Sequence, residues 1–65
     1  MSTGTKLKAL RAEKKKSQQQ AADELNITKS ALAMYERGER VPRDEIKVRI
    51  ANYYGETVQS IFYAN

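Results

Sequence analysis

Residues 18–37, QQQAADELNITKSALAMYER, constrain this chain more than any other stretch. Their apolar positions, Ala21, Leu25, Ile27, Leu32 and Tyr35, are spaced by 4, 2, 5 and 3 residues. One unbroken helix would scatter these side chains around its circumference, whereas helix, tight turn and second helix bring them to one side. Ala22 leaves room for close helix approach, and Asn26 is among the few non-glycine residues that tolerate a left-handed turn. Thr28 is the expected N-cap of the second helix and Gly38 its C-terminal stop.

The flanking sequence extends this pattern. Met1–Gly4 reads as a short, loosely ordered polar start. A first helix is expected from Thr5 to about Lys15, with Thr5 as its cap and Leu7 and Leu10 facing inward. Lys14, Lys15 and Lys16 form a basic run, read as a hydrated turn, before Ser17, which stands where the next helix needs an N-cap. The third helix is expected over Lys29–Arg37. A loop over Gly38–Val41 leads to Pro42, whose missing amide suits a helix edge. A fourth helix follows from about Asp44 to Tyr54, with Asp44 and Glu45 complementing its dipole. Ile46, Ile50 and Tyr54 form its apolar stripe, broadened by Val48 and Ala51. Gly55 stops it, and Thr57 can cap a last short helix, Val58–Phe62, with Val58, Ile61 and Phe62 on one face. Nothing reads as a strand, a repeat or a linker. The expected fold is therefore all-α, a compact five-helix domain covering residues 1–65.

Composition narrows the function. A chain of 65 residues buries only about 60% of its unfolded surface, so its core is small. With no Cys and no His, disulfides, thiolate or imidazole metal sites and a histidine base are all excluded, which argues against an enzyme and against a metal or cofactor. The longest apolar run, Ala31–Tyr35, has five residues, far short of the roughly 20 that span a bilayer. No secretory signal pattern is present, so a cytoplasmic location is expected. Twelve Lys and Arg against eight Asp and Glu give a net charge of +4, which favours a polyanionic partner. A helix held steeply against a neighbour can protrude into a DNA major groove, so double-stranded DNA is the expected partner.

A known family carries the same residues in the same order. Leu7-Lys8-Ala9-Leu10-Arg11, Ser17-Gln18, Ala22, Leu25, Ile27-Thr28-Lys29-Ser30, Tyr35-Glu36-Arg37-Gly38, Pro42, Ile50-Ala51, Gly55 and Val58 through Phe62 resemble the lambda-repressor-like, XRE-type helix-turn-helix domains of phage and bacterial regulators. The resemblance runs from about residue 5 to residue 63. The chain departs from that pattern at Ala21, where the family has a larger apolar residue, and at Lys15 and Lys16, where Gly then Leu is frequent. Asp44, Lys47 and Glu56 also stand where apolar residues are common.

The resemblance implies base contacts from Lys29, Ser30, Ala33 and Met34. Chemically, Lys29 can donate to guanine, Ser30 can donate or accept at several base edges, and Ala33 and Met34 offer apolar surface to a thymine methyl. Ala33 equally suits close approach of the helix, and Met34 suits ordinary packing. Phosphate contacts are expected from Gln18 at the start of the second helix, from Thr28, and from Arg37, Arg40 and Arg43 around the loop. Arg40 reads equally as a solvated loop charge. Arg11 and Glu36 match a family pair that joins the first helix to the end of the third.

Regulators of this kind act as two-fold dimers on palindromic sites, with recognition helices about 34 Å apart. Four of the five aromatic residues follow residue 50, which makes Phe62, Tyr63 and Tyr54, with Tyr53 as a further candidate, the expected homodimer surface. Phe62 and Tyr54 serve equally as core. The expected function is a sequence-specific transcriptional regulator, foremost a repressor, and no small-molecule effector site is evident. The rival reading is a protein-binding module of the same fold acting on another regulator. A membrane-surface peptide is disfavoured because the basic residues are spread over every element.

Overall fold

The computed structural model describes residues 2–63. Four α-helices, α1 (Thr3–Glu13), α2 (Gln18–Leu25), α3 (Lys29–Arg37) and α4 (Asp44–Tyr54), are followed by a terminal π-helical turn, Gln59–Tyr63. No strand occurs among the described residues.

The ends of these helices are fixed by local chemistry. Ser17 Oγ accepts from the Gln20 amide at 3.0 Å while the Gln20 side chain accepts from the Ser17 amide at 2.9 Å, a reciprocal cap on α2. Thr28 Oγ1 accepts from the Ala31 amide at 3.0 Å and caps α3. Asn26 turns left-handed at φ 59°, and Gly38 and Gly55 end α3 and α4 at φ 75° and 68°. Such a turn lets the following amides return to the last carbonyls of the helix.

The first helix differs from expectation at both ends. It starts at Thr3 because Ser2, rather than Thr5, is the cap: Ser2 Oγ accepts from the Thr5 amide at 3.1 Å. Met1 lies outside the described residues, but Thr3 and Gly4 form a helical first turn rather than a loose start. Gly4 is buried where α1 crosses α3, and a Cβ there would collide with the Glu36 carbonyl oxygen. At the other end α1 stops at Glu13, and Lys15 takes the left-handed conformation at φ 60°. A residue without Cβ would hold that conformation at lower cost, which is why the family places Gly there.

Two apolar clusters form the interior. Leu7, Leu25, Tyr35, Ile50, Ala51 and Ile61 make the larger one, and Ala21, Ala22 and Leu32 the smaller. Ile27 and Tyr53 pack against both and join them. Ala21 and Ala22 of α2 and Leu32 of α3 are all fully buried, so the small residues leave no solvent-exposed gap between the two helices. Arg49 closes the C-terminal end of α2, donating to the Leu25 carbonyl at 3.1 Å.

Helix α4 corrects a second expectation. Val48 does not broaden its apolar stripe but stands 50% exposed, while Lys47, Ile50 and Ala51 are buried. Ile46, Ile50 and Tyr54 keep their places in or against the core, and positions 47, 50, 51 and 54 follow the i, i+3, i+4, i+7 rule, so the stripe widens toward Lys47 rather than Val48. Pro42 stands in the loop as expected, where it is buried, and α4 begins at Asp44 with Arg43 as N-cap. The last element opens with a reciprocal pair, Ser60 amide to Thr57 Oγ1 at 3.0 Å and Thr57 amide to Ser60 Oγ at 3.3 Å. It then widens into a π-turn that buries Ile61.

Candidate nucleic-acid interface

Helix α3 is braced from behind by Leu32, Tyr35 and Glu36, which are its buried residues. The opposite face carries Lys29, Ser30 and Arg37, all exposed, with Ala33 and Met34 half-buried between them. Together with Gln18 at the start of α2, these five residues line one shallow, open depression. The α2–α3 turn thus brings side chains of two helices to a single surface, as the spacing of residues 18–37 requires.

Glu36 holds this arrangement from inside. Its carboxylate accepts from Arg11 Nε at 2.9 Å and Nη2 at 3.1 Å, and from Gln18 Nε2 at 2.9 Å. Arg11 Nη1 also donates to the Lys16 carbonyl at 3.1 Å. One guanidinium therefore links α1, the turn after it and α3, and the bidentate geometry is the strong form of such a pair. The hydrogen bond to Glu36 raises the Arg11 pKa still further, so the cation is permanent. Glu36 is only 4% exposed, and its charge is turned away from the surface where it would repel phosphate. Gln18 is tethered at one end of its amide and remains half-exposed at the edge of the depression.

The remaining candidates lie apart. Arg37 Nη2 donates to Glu39 Oε1 at 3.0 Å, which holds the Glu39 carboxyl below its usual range. Both side chains are about half exposed, and a solvent-screened pair of this kind is weak, so it yields readily to another anion. Arg40 and Arg43 are exposed and have no carboxylate partner among the described residues. They line a separate hollow with Tyr35, Val41, Glu45 and Ile46, beyond the C-terminal end of α3. Thr28 is exposed at the α3 N-terminus with its hydroxyl engaged in capping.

The three aromatics expected at a dimer surface are divided. Phe62 and Tyr63 share the wall of one pocket, and Tyr63 is 53% exposed. Tyr54 lines a different hollow with Leu10, Glu13 and Lys14. Its hydroxyl is buried without a hydrogen-bond partner among the described residues. Burial, reinforced by the Glu36 charge and opposed by Arg11, pushes its pKa up to about 12. Tyr53 packs its ring inward, meeting Tyr54 edge-on at 4.9 Å, while its hydroxyl donates to the exposed Glu24 Oε1 at 2.6 Å.

Three residues gain roles that the sequence pattern did not assign. Lys6 Nζ donates to the Ser60 carbonyl at 3.0 Å and ties α1 to the π-turn. Gly4 sets the α1–α3 distance. Lys47 is 8% exposed and donates to Tyr63 Oη at 2.7 Å. Its occurrence at a position the family fills with apolar residues was the available signal, and nothing comparable marked Gly4.

The helix-turn-helix family model matches residues 7–61. The chain belongs to the lambda-repressor-like, XRE-type helix-turn-helix family, whose members are DNA-binding transcription regulators and generally not enzymes. No curated relative matches the sequence. No helix among the described residues is long and apolar enough to cross a membrane.

Proposed function

We propose that this protein is a sequence-specific repressor that binds a palindromic operator as a homodimer, with α3 in the major groove. The observation that carries the reading is the two-sidedness of α3. Leu32, Tyr35 and Glu36 lock one side, and Lys29, Ser30, Ala33, Met34 and Arg37 share the other with Gln18.

In this reading Lys29 and Ser30, at the groove-entering end of the helix, hydrogen-bond base edges, while Ala33 and Met34 meet thymine methyl groups. Gln18, Thr28 and Arg37 hold the nearby backbone, where the free amides of two helix N-termini add their own attraction for phosphate. Arg40 and Arg43 take phosphates further along the same strand. The Glu36–Gln18 hydrogen bond restricts the rotamers of Gln18 before DNA arrives, so less entropy is lost on binding. Phe62 and Tyr63, with Tyr54, supply the contact between copies.

Fragments selected from a random duplex pool give the operator, and the Lys29→Ala, Ser30→Ala double variant tests it. Each lost base contact should cost ~1–3 kcal/mol at the selected site and leave non-specific binding nearly unchanged. Operator affinity equal to that of the unaltered chain would sink the major-groove assignment and favour a protein partner on this face.

A further inference from the structure

A second concavity, of about 400 Å³, lies between the start of α1, the loop after α3 and the π-turn. That volume falls within the range of small-ligand sites, ~300–1,000 Å³. Its walls are largely apolar and come from Leu7, Tyr35, Pro42 and Phe62, all buried or half-buried. Val41 and Tyr63 stand at its edge, 74% and 53% exposed.

Its charge is one-sided. Arg37, Arg40 and Lys47 line it, and no carboxylate does among the described residues. Arg37 has Glu39, but Arg40 has no acidic partner among those residues, and Lys47 reaches only Asp44, at 3.8 Å. The Asp44 side chain is almost fully exposed, so it neutralises the ammonium weakly. Lys47 Nζ instead sits 4.8 Å from the Tyr63 ring centroid and 5.7 Å from that of Phe62. The ring faces and the Tyr63 hydroxyl keep a nearly buried ammonium charged without cancelling it. Its pKa is accordingly raised, chiefly by the Tyr63 hydrogen bond. An ammonium has three donors, and here one goes to a neutral hydroxyl.

We propose that this pocket binds a small amphipathic carboxylate, its apolar body against Val41, Phe62 and Tyr63 over the buried floor of Leu7 and Tyr35, and its charge on the Lys47 ammonium, with Arg40 at the mouth. An inorganic anion would leave the apolar walls wet, and an apolar amine would meet three cations. Only a ligand that is both apolar and anionic satisfies both features. The site exists whether or not α3 reads DNA.

The test is titration of the full chain with phenylbutyrate, its amide and phenylbutylamine, followed by backbone amide NMR. Phenylbutyrate should give saturable shifts confined to residues around the pocket. The amide should bind roughly ten-fold or more weakly, since it forgoes the charge-assisted hydrogen bonds, and the amine should not bind. Lys47→Met keeps the length of the side chain and should abolish the preference for acid over amide. Arg40→Gln, a surface change, should weaken the acid alone by about three-fold. If Lys47→Met does not fold, the acid–amide comparison on the unaltered chain and Arg40→Gln still decide. No saturable shift, equal response to all three compounds, or shifts spread over the basic surface near Lys29 would overturn the site. So would self-association that covers Val41 and Tyr63 with no response to the carboxylate.

Discussion

The corner between α2 and α3 and the corner after α4 are made to the same local plan. Each has a left-handed residue, one intervening residue, and a threonine that caps the next element: Asn26-Ile27-Thr28 and Gly55-Glu56-Thr57. In both, the amide of the intervening residue returns to a carbonyl five positions back, Ile27 to Ala22 at 3.0 Å and Glu56 to Ala51 at 2.9 Å. Lys15-Lys16-Ser17 repeats the arrangement a third time, with Lys16 returning to Arg11 at 3.3 Å. Their outcomes nevertheless differ. The first corner launches a regular helix whose outer face is open, the second a π-turn folded back over Lys47. What separates them is the middle residue and its surroundings. Ile27 packs against both apolar clusters and so anchors the corner between α2 and α3, whereas Glu56 is polar and accepts from Ser60 Oγ at 2.9 Å. Local chemistry makes the corner. Tertiary burial decides where the next element points.

The difference between the two corners is tested hardest at the contact that locks α3. Arg11→Ala strands the buried Glu36 carboxylate and should cost ~3 kcal/mol of folding stability, read from denaturant midpoints at constant slope. A loss under about 1 kcal/mol would mean that capping and apolar packing alone hold α3 in place. Gly4→Ala comes next, since its Cβ would force α1 away from the Glu36 carbonyl. A loss of ~1–3 kcal/mol in thermal or chemical unfolding is expected, despite the better helix propensity of Ala.

Two smaller effects have the opposite sign. Lys15→Gly removes the strain of a left-handed lysine and should stabilise the α1–α2 corner by up to ~1 kcal/mol, partly offset by the greater freedom of Gly when unfolded. An unchanged or lower melting temperature would show that the corner carries no local strain. Tyr54→Phe removes a buried hydroxyl without a partner among the described residues and should stabilise by ~1 kcal/mol or less. The same tyrosine has a pH signature. Its folded pKa, about 12, lies above the ordinary value of 10.0, so the unfolded chain releases its proton first. The associated stability is full below pH 10.0 and is lost as pH rises toward about 12. Alkaline melting curves of Tyr54→Phe should therefore fall less steeply than those of the unaltered chain.

Much of the architecture was legible because it is local. The bounds of α3 and α4, the caps at Ser17, Thr28 and Thr57, and the left-handed Asn26 depend on residues within one turn of each other, where propensity and hydrogen-bond geometry suffice. The two-sidedness of α3 was legible for the same reason, from its helical period. Arg11 and Glu36 were paired through family resemblance, since 25 residues separate them. The start of α1 was misplaced because Ser2 and Thr5 are both good caps, and nothing nearby in sequence chooses between them.

Lys47 illustrates the other category. The helical period placed Val48 in the apolar stripe and gave Lys47 beside it no place there, yet Lys47 is buried and Val48 exposed. Phe62 and Tyr63 lie well beyond the end of α4, and only when the π-turn folds back do their rings meet the lysine ammonium. Gly4 is similar, because its need for hydrogen in place of a side chain comes from a backbone carbonyl on another helix. The amino-acid order by itself determined where helices begin, end and turn, because those are short-range matters of caps, dihedral angles and periodicity. Which side chains are buried at the seams between distant elements was settled only by assembly, since desolvation and close packing belong to the completed three-dimensional neighbourhood.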